Sequence, residues 1–142
     1  MKRRGLIFTA LTLSAALLGT SVRAEEPGPD GLTSQALAVY LKHLQQAVKS
    51  DSAADVAKLV SFPLRVNGLA GKNRKLNAAQ FAKEYASVFT PAIKAVVLKQ
   101  EAKTLFRKSE GAMMGDGEVW LSGICEDSTC VKSQIKIISV NL

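Results

Sequence analysis

The chain has 142 residues, 47% of them apolar and 22% charged, and a formal charge of +7. That length suits one domain, and that balance excludes general disorder, collagen-like repeats and coiled-coil rods. Two cysteines are too few for a disulfide-built mini-scaffold, and one histidine excludes a histidine-rich metal centre.

Residues 1–24 have the three parts of a secretory signal. Lys2, Arg3 and Arg4 precede an uncharged run, residues 5–22, whose apolar centre includes Leu6, Ile7, Phe8, Leu11, Leu13, Leu17 and Leu18. Val22 and Ala24 stand at −3 and −1 before Glu25, so cleavage is expected after Ala24. The alternative is a transmembrane anchor, which needs roughly 20 apolar residues. Thr9, Thr12, Ser14, Gly19, Thr20 and Ser21 dilute the run, and no basic stop-transfer cluster follows it. The expected address is periplasmic or secreted, with no stable membrane anchor after cleavage.

Removing the signal changes the charge argument. Residues 1–24 hold Lys2, Arg3, Arg4 and Arg23 and no acid, so 15 basic and 12 acidic residues remain, a net of +3. Nucleic-acid binding calls for a dense basic stripe. A net of +3 does not support it.

Residues 25–32, with two prolines and two glycines, are expected to form a flexible leader. Thr33 or Ser34 then caps a helix, with Leu37, Leu41, Leu44 and Val48 on one face and Tyr40 beside them. Ser52 with Asp55 opens a short second helix, with Val56, Leu59 and Val60 inward. Residues 62–68 switch to strand alternation, and Pro63 suits a strand start or an edge. Asn67, Gly68 and Gly71 turn the chain, and residues 72–76 return as a hairpin partner. Asn77 with Gln80 opens a third helix bearing Phe81, Tyr85, Val88 and Phe89 on one side. Thr90-Pro91 opens a fourth, because proline at the first helical position costs no hydrogen bond. Its apolar positions are Ile93, Val96 and Val97.

The last third reads as three strands. One covers residues 104–108. The second begins at residues 112–114, is bent by Gly115, Asp116 and Gly117, and continues over residues 118–125. The third covers residues 130–140. Cys125 and Cys130 flank four residues. In an oxidising compartment they are expected to bond across a hairpin; the alternative is two free thiols. If Cys125 faces Cys130, Trp120 opposes Ile135 and Glu118 opposes Ile137. Alternation then gathers Trp120, Ile124, Val131, Ile135 and Ile137 on one face. A phase change to Ile138, Val140 and Leu142 predicts a β-bulge near Ile137. Helices first and antiparallel strands last make an α+β domain over residues 33–142, with the helices packed on a curved sheet.

This order resembles the cone-shaped NTF2-like superfamily, with its SnoaL-like and ketosteroid-isomerase-like branches. The likeness is carried by residues 37–48, 62–68, 89–91 and 115–120, and is narrowest toward small exported bacterial members of unassigned role. It implies a concave sheet that, with the helices, encloses a pocket. Some members run isomerase or dehydratase chemistry there and many only bind. It also implies that two copies pair sheet to sheet as a homodimer.

His43 is the one imidazole. It would be a general base beside an acid, or a half-exposed helical residue. Glu118 would sit near the pocket mouth with its pKa raised by desolvation, or be a strand-end carboxylate reaching water. No tyrosine–aspartate set matches the isomerase pattern. Gly115-Asp116-Gly117 lacks the following helix of a phosphate loop and the spaced acids of a calcium loop, so it reads as a bulge or bend. Arg65, Lys72, Arg74 and Lys75 form the local basic cluster, suited to an anionic surface or to a solvated loop. No cofactor and no metal is implied. The expected function is non-catalytic binding of a partner protein or small apolar ligand on the concave sheet, with Trp120 and the basic cluster at the site. An isomerase- or dehydratase-like enzyme built on His43 or Glu118 is the alternative.

Overall fold

The computed structural model describes residues 23–142. All but the last two residues of the expected signal therefore lie outside the described residues. Four α-helices and a six-stranded sheet follow in the order α1 (Ser34–Lys49), α2 (Ala53–Lys58), β1 (Val60–Asn67), β2 (Asn73–Leu76), α3 (Ala78–Val88), α4 (Pro91–Lys99), β3 (Phe106–Lys108), β4 (Gly111–Met114), β5 (Val119–Cys125) and β6 (Ser133–Asn141). The α+β class stands.

Each helix starts at a polar cap. Thr33 Oγ1 accepts from the Ala36 amide, and Ser52 Oγ from the Asp55 amide. Asn77 and Gln80 make a reciprocal capping box. Thr90 caps α4, with Pro91 in its first turn. The Gln45 side chain donates to the carbonyls of Val97, at 3.0 Å, and Gln100, at 2.9 Å, so α1 satisfies the open end of α4.

The sheet runs β2-β1-β6-β5-β4-β3. It is not wholly antiparallel as expected, because β1 and β6 pair parallel. β1 enters the sheet from α2 in the direction of β6, and the turn after it hands the antiparallel direction to β2. Pro63 is neither at an edge nor at a strand start. It falls where the β1–β6 register shifts, between Val60 and Arg65, and precedes the first β2 partner at Leu64, so its missing N–H breaks no ladder bond.

The strand expected over residues 112–125 is two strands. Gly115 and Gly117 have φ of 61° and 113°, backbone that only glycine adopts freely, and the Gly117 amide bonds to the Met114 carbonyl at 3.2 Å. The chain therefore reverses, and β4 lies antiparallel to β5, with Met114 opposite Val119.

The β5–β6 register also differs from expectation. Cys125 opposes Ser133, Gly123 opposes Ile135 and Leu121 opposes Ile137. The two cysteines do form a disulfide, but inside a longer loop, with Cys130 at φ 54°. The Asp127 carboxylate accepts from the Thr129 hydroxyl and amide and from the Cys130 amide, building that loop. The register slides by three positions, an odd number, so the faces exchange. Val119, Leu121 and Ile137 point inward, and Trp120 and Ile124 point out. The predicted bulge is present: Trp120 pairs with Ser139 and Leu121 with Ile137, leaving Ile138 extra.

The inward face and the helices close on one core. Phe81, Phe89, Leu37, Leu44, Leu64, Met114, Leu121 and Ile137 are fully buried there. Phe81 meets Phe62, Tyr85 and Phe89 edge-on at 5.6 to 6.1 Å.

Residues 25–32 are folded onto this body rather than forming a loose leader. Leu32 is buried, and Asp30 is held by Arg107 of β3. The Glu25 carboxylate accepts from the amides of Ser34 and Gln35, at 2.9 and 3.1 Å, in the first turn of α1. Acids are favoured at such an end by the helix dipole.

Candidate functional site

The helix-facing side of the sheet is filled by side chains; the other face carries no helix among the described residues. Alternation assigns its residues. Pro63, Arg65 and Asn67 of β1 stand beside Asn73 and Lys75 of β2. Ile138, Ser139 and Asn141 of β6 come next, then Trp120, Ser122 and Ile124 of β5. Gln134 and Lys136 of β6, Met113 of β4 and Phe106 with Lys108 of β3 belong to it as well.

This face is apolar and cationic together. Phe106 is 52% exposed, and Met113, Trp120, Ile124 and Ile138 are half-buried. The Lys108 ammonium lies 5.1 Å from the Trp120 ring centroid, a cation–π contact worth about 0.5–1 kcal/mol at an open site. Ser139 lies between Arg65 on one side and Trp120 on the other and is buried by them. Asn67 donates to Asn141 at 2.6 Å across the same rows.

Shallow grooves cross the face. One, of about 290 Å³, is lined by Ser61, Pro63, Arg65, Lys75, Ser122, Ile124 and Ile138. A second, of about 220 Å³, runs from Arg65 and Asn67 past Ser139 to Trp120 and Glu110. Arg65 lines both.

Of the four basic residues of the sequence cluster, Arg65, Arg74 and Lys75 border one hollow of about 260 Å³. Arg65 and Lys75 are direct cross-strand partners on the open face. Arg74 turns to the helices, where its Nε lies 3.2 Å from Glu84 Oε2 and its other nitrogen 3.4 Å from Ser87 Oγ. Lys72 is exposed at the hairpin turn.

His43 and Glu118 line no common cavity. His43 is exposed on α1 and borders a hollow of about 330 Å³ with Gln46, Ser50, Asp55, Lys58 and Leu59. Its neighbouring groups are already engaged. Asp55 is bonded to Lys58 at 2.7 Å. The Tyr40 hydroxyl donates to the Leu59 carbonyl at 2.7 Å, and burial pushes that phenol far up. Glu118 lies in the β4–β5 turn, not opposite Ile137. Its carboxylate accepts from the Asp116 amide at 2.6 Å and so braces the turn. Neither arrangement supplies a base with a free partner acid at a hydrogen-bonding distance.

Among the described residues no group of three or more His, Cys, Asp and Glu comes together to hold a metal ion. No helix among them is long and apolar enough to cross a membrane. Comparison with protein-family models, with characterised proteins and with solved structures finds no match.

Sequence reasoning named Arg65, Lys75 and Trp120 as candidates, and the strand register brings them to one face. Phe106, Lys108, Met113 and Ile138 join them only through the correct strand order. The readable signal was the outward phase of Arg65, because Leu64 and Val66 are its buried neighbours.

Proposed function

We propose that this chain is an exported, non-catalytic binding domain of the bacterial envelope, and that the open face of its sheet holds a partner protein or small apolar ligand. One observation carries the reading: Trp120, Phe106, Met113, Ile124 and Ile138 are left partly open on one sheet face that no helix among the described residues covers, beside Arg65, Lys75 and Lys108. Grouped exposed apolar surface rimmed by charge is the usual mark of a binding surface. The side-chain-filled space behind the sheet, and the engaged neighbours of His43 and Glu118, favour binding over turnover. We also propose that the chain is a small NTF2-like protein. Support comes from the helices-first order and the long last strand paired with both β1 and β5.

The test uses Trp120, the chain's one tryptophan, as its own reporter. Envelope fractions from the native host are titrated against the purified protein while its emission is followed. A fraction that shifts the emission, and is no longer retained by R65A or W120A protein but is retained by H43A and E118A, is the expected result. Retention by both face variants, or a substrate turned over by wild type and not by H43A or E118A, overturns the reading. Intact mass of the purified protein checks the cleavage after Ala24.

A further inference from the structure

We propose that the groove over β2, β1, β6 and β5 binds a small anionic amphiphile, with a carboxylate or phosphate head between Arg65 and Lys75 and an apolar body along Pro63, Ile124 and Ile138. This rests on the open-face reading above and narrows it to a ligand class.

The first support is an uncompensated charge pair. Arg65 and Lys75 are directly opposite in the β1–β2 register. Like charges so placed repel and weaken the pairing. Some cations of the fold have acids, as Arg74 has Glu84, Lys94 has Asp51 and Arg107 has Asp30, and Lys136, on the same sheet face, donates to the Lys58 carbonyl at 2.6 Å. Among the described residues no ion pair includes Arg65 or Lys75. Glu110 lines the adjoining groove with Arg65, but its carboxylate is engaged by Lys108 at 3.5 Å and the Ser109 hydroxyl at 3.1 Å. An anion between the two cations would turn their repulsion into two attractions.

The second support is the rest of the lining. Ser61 and Ser122 bring hydroxyl donors to the same groove, and Pro63, Ile124 and Ile138 give it apolar walls. Its volume, about 290 Å³, is at the small end for a ligand site. A purely apolar ligand would desolvate two cations without pairing them. A bare anion would leave the isoleucines wet. A head with a short chain satisfies both halves.

The test uses the protein purified from its host, with decanoate below its micelle concentration, decanol and inorganic phosphate as probes. The readouts are the Ile124 and Ile138 methyl resonances and Trp120 emission. Decanoate is expected to bind saturably, at least about tenfold tighter than decanol or phosphate, as charge-assisted bonds require. The R65Q/K75Q double variant, its fold checked by its remaining methyl spectrum, is expected to lose that preference and keep the decanol affinity. Equal binding of decanoate and decanol, phosphate as tight as decanoate, or a preference that survives in the double variant overturns the proposal. So does binding to anionic phospholipid vesicles with no response to decanoate. If decanoate leaves the methyls unmoved while an envelope fraction still requires Trp120, the ligand class falls and the open-face reading stands.

Discussion

Arg107 on β3 grips Asp30 at two points: Nε lies 2.8 Å from Oδ2 and a terminal nitrogen 2.5 Å from Oδ1. The same guanidinium reaches the Leu32 carbonyl and, at 3.2 Å, the Ser34 hydroxyl. It passes over Gly28, where a Cβ would strike it. The Asp30 carboxylate is fully buried. A charge buried this way is costly once its partner is gone. Replacing Arg107 by Met should therefore cost about 3 kcal/mol, and Asp30→Asn somewhat less. Urea unfolding monitored at Trp120 measures both. A midpoint unchanged by R107M would show that the leader contributes nothing to the folded body.

The same pair sets an acid dependence. Burial pushes the Asp30 carboxyl up, but the Arg107 bonds and the Leu32 amide outweigh it, and the group sits below its ordinary value. A carboxyl depressed in the folded state binds fewer protons there than in the unfolded chain. Its stabilisation is thus complete above the ordinary aspartate range and is lost as pH falls through it. Wild type should lose stability from about pH 4 downward. Asp30→Asn should flatten that part of the curve, as read from urea midpoints at successive pH values.

The Cys125–Cys130 bridge closes a loop with a sequence separation of 5. Short loops gain least from closure, so reduction should cost about 2 kcal/mol and leave the fold intact. Dithiothreitol should lower the urea midpoint of wild type and not of C125S/C130S. Because the β5–β6 ladder begins at Cys125 and Ser133, the amides of Leu121 and Ile137 should keep their exchange protection after reduction.

Gly111 begins β4 at φ 139°, and an added Cβ would strike the Leu121 carbonyl of β5. Gly111→Ala should therefore destabilise by about 2 kcal/mol or more, through strain and a forced opening of the β4–β5 pair. Thermal unfolding beside an exposed-site control such as Ala79→Gly separates this from a general loss of helix or strand propensity.

Local signals carried most of the elements. Caps at Thr33, Ser52, Asn77 and Thr90 are chemical and lie within a turn of what they start, so the helices were readable to within a residue or two. The inward phase of Leu64 and Val66 set the outward phase of Arg65 for the same reason. Partners across the sheet were not readable. The turn at residues 115–117 looked like a bend because glycine permits both, and only the Met114–Val119 pairing decides. The cysteines looked like facing strand residues, but Cys130 is left-handed and belongs to the loop, which moved Trp120 and Ile124 to the open face. The role of Arg107 was hidden because its partner is 77 positions away. Of the candidate face, Arg65, Lys75 and Trp120 were named as separate residues; their meeting on one surface is a product of strand order.

In that order β6 is the seam. Its one neighbour is the β1–β2 hairpin and its other is the β5–β4–β3 meander, and in the sheet the two halves meet only through residues 133–141. While a ribosome is still making earlier residues, both half-sheets are present but unjoined, with the flanks of β1 and β5 unsatisfied. The sheet therefore closes into one piece only once residues 133–141 are in place, and until then neither half has the other's edge to pair with.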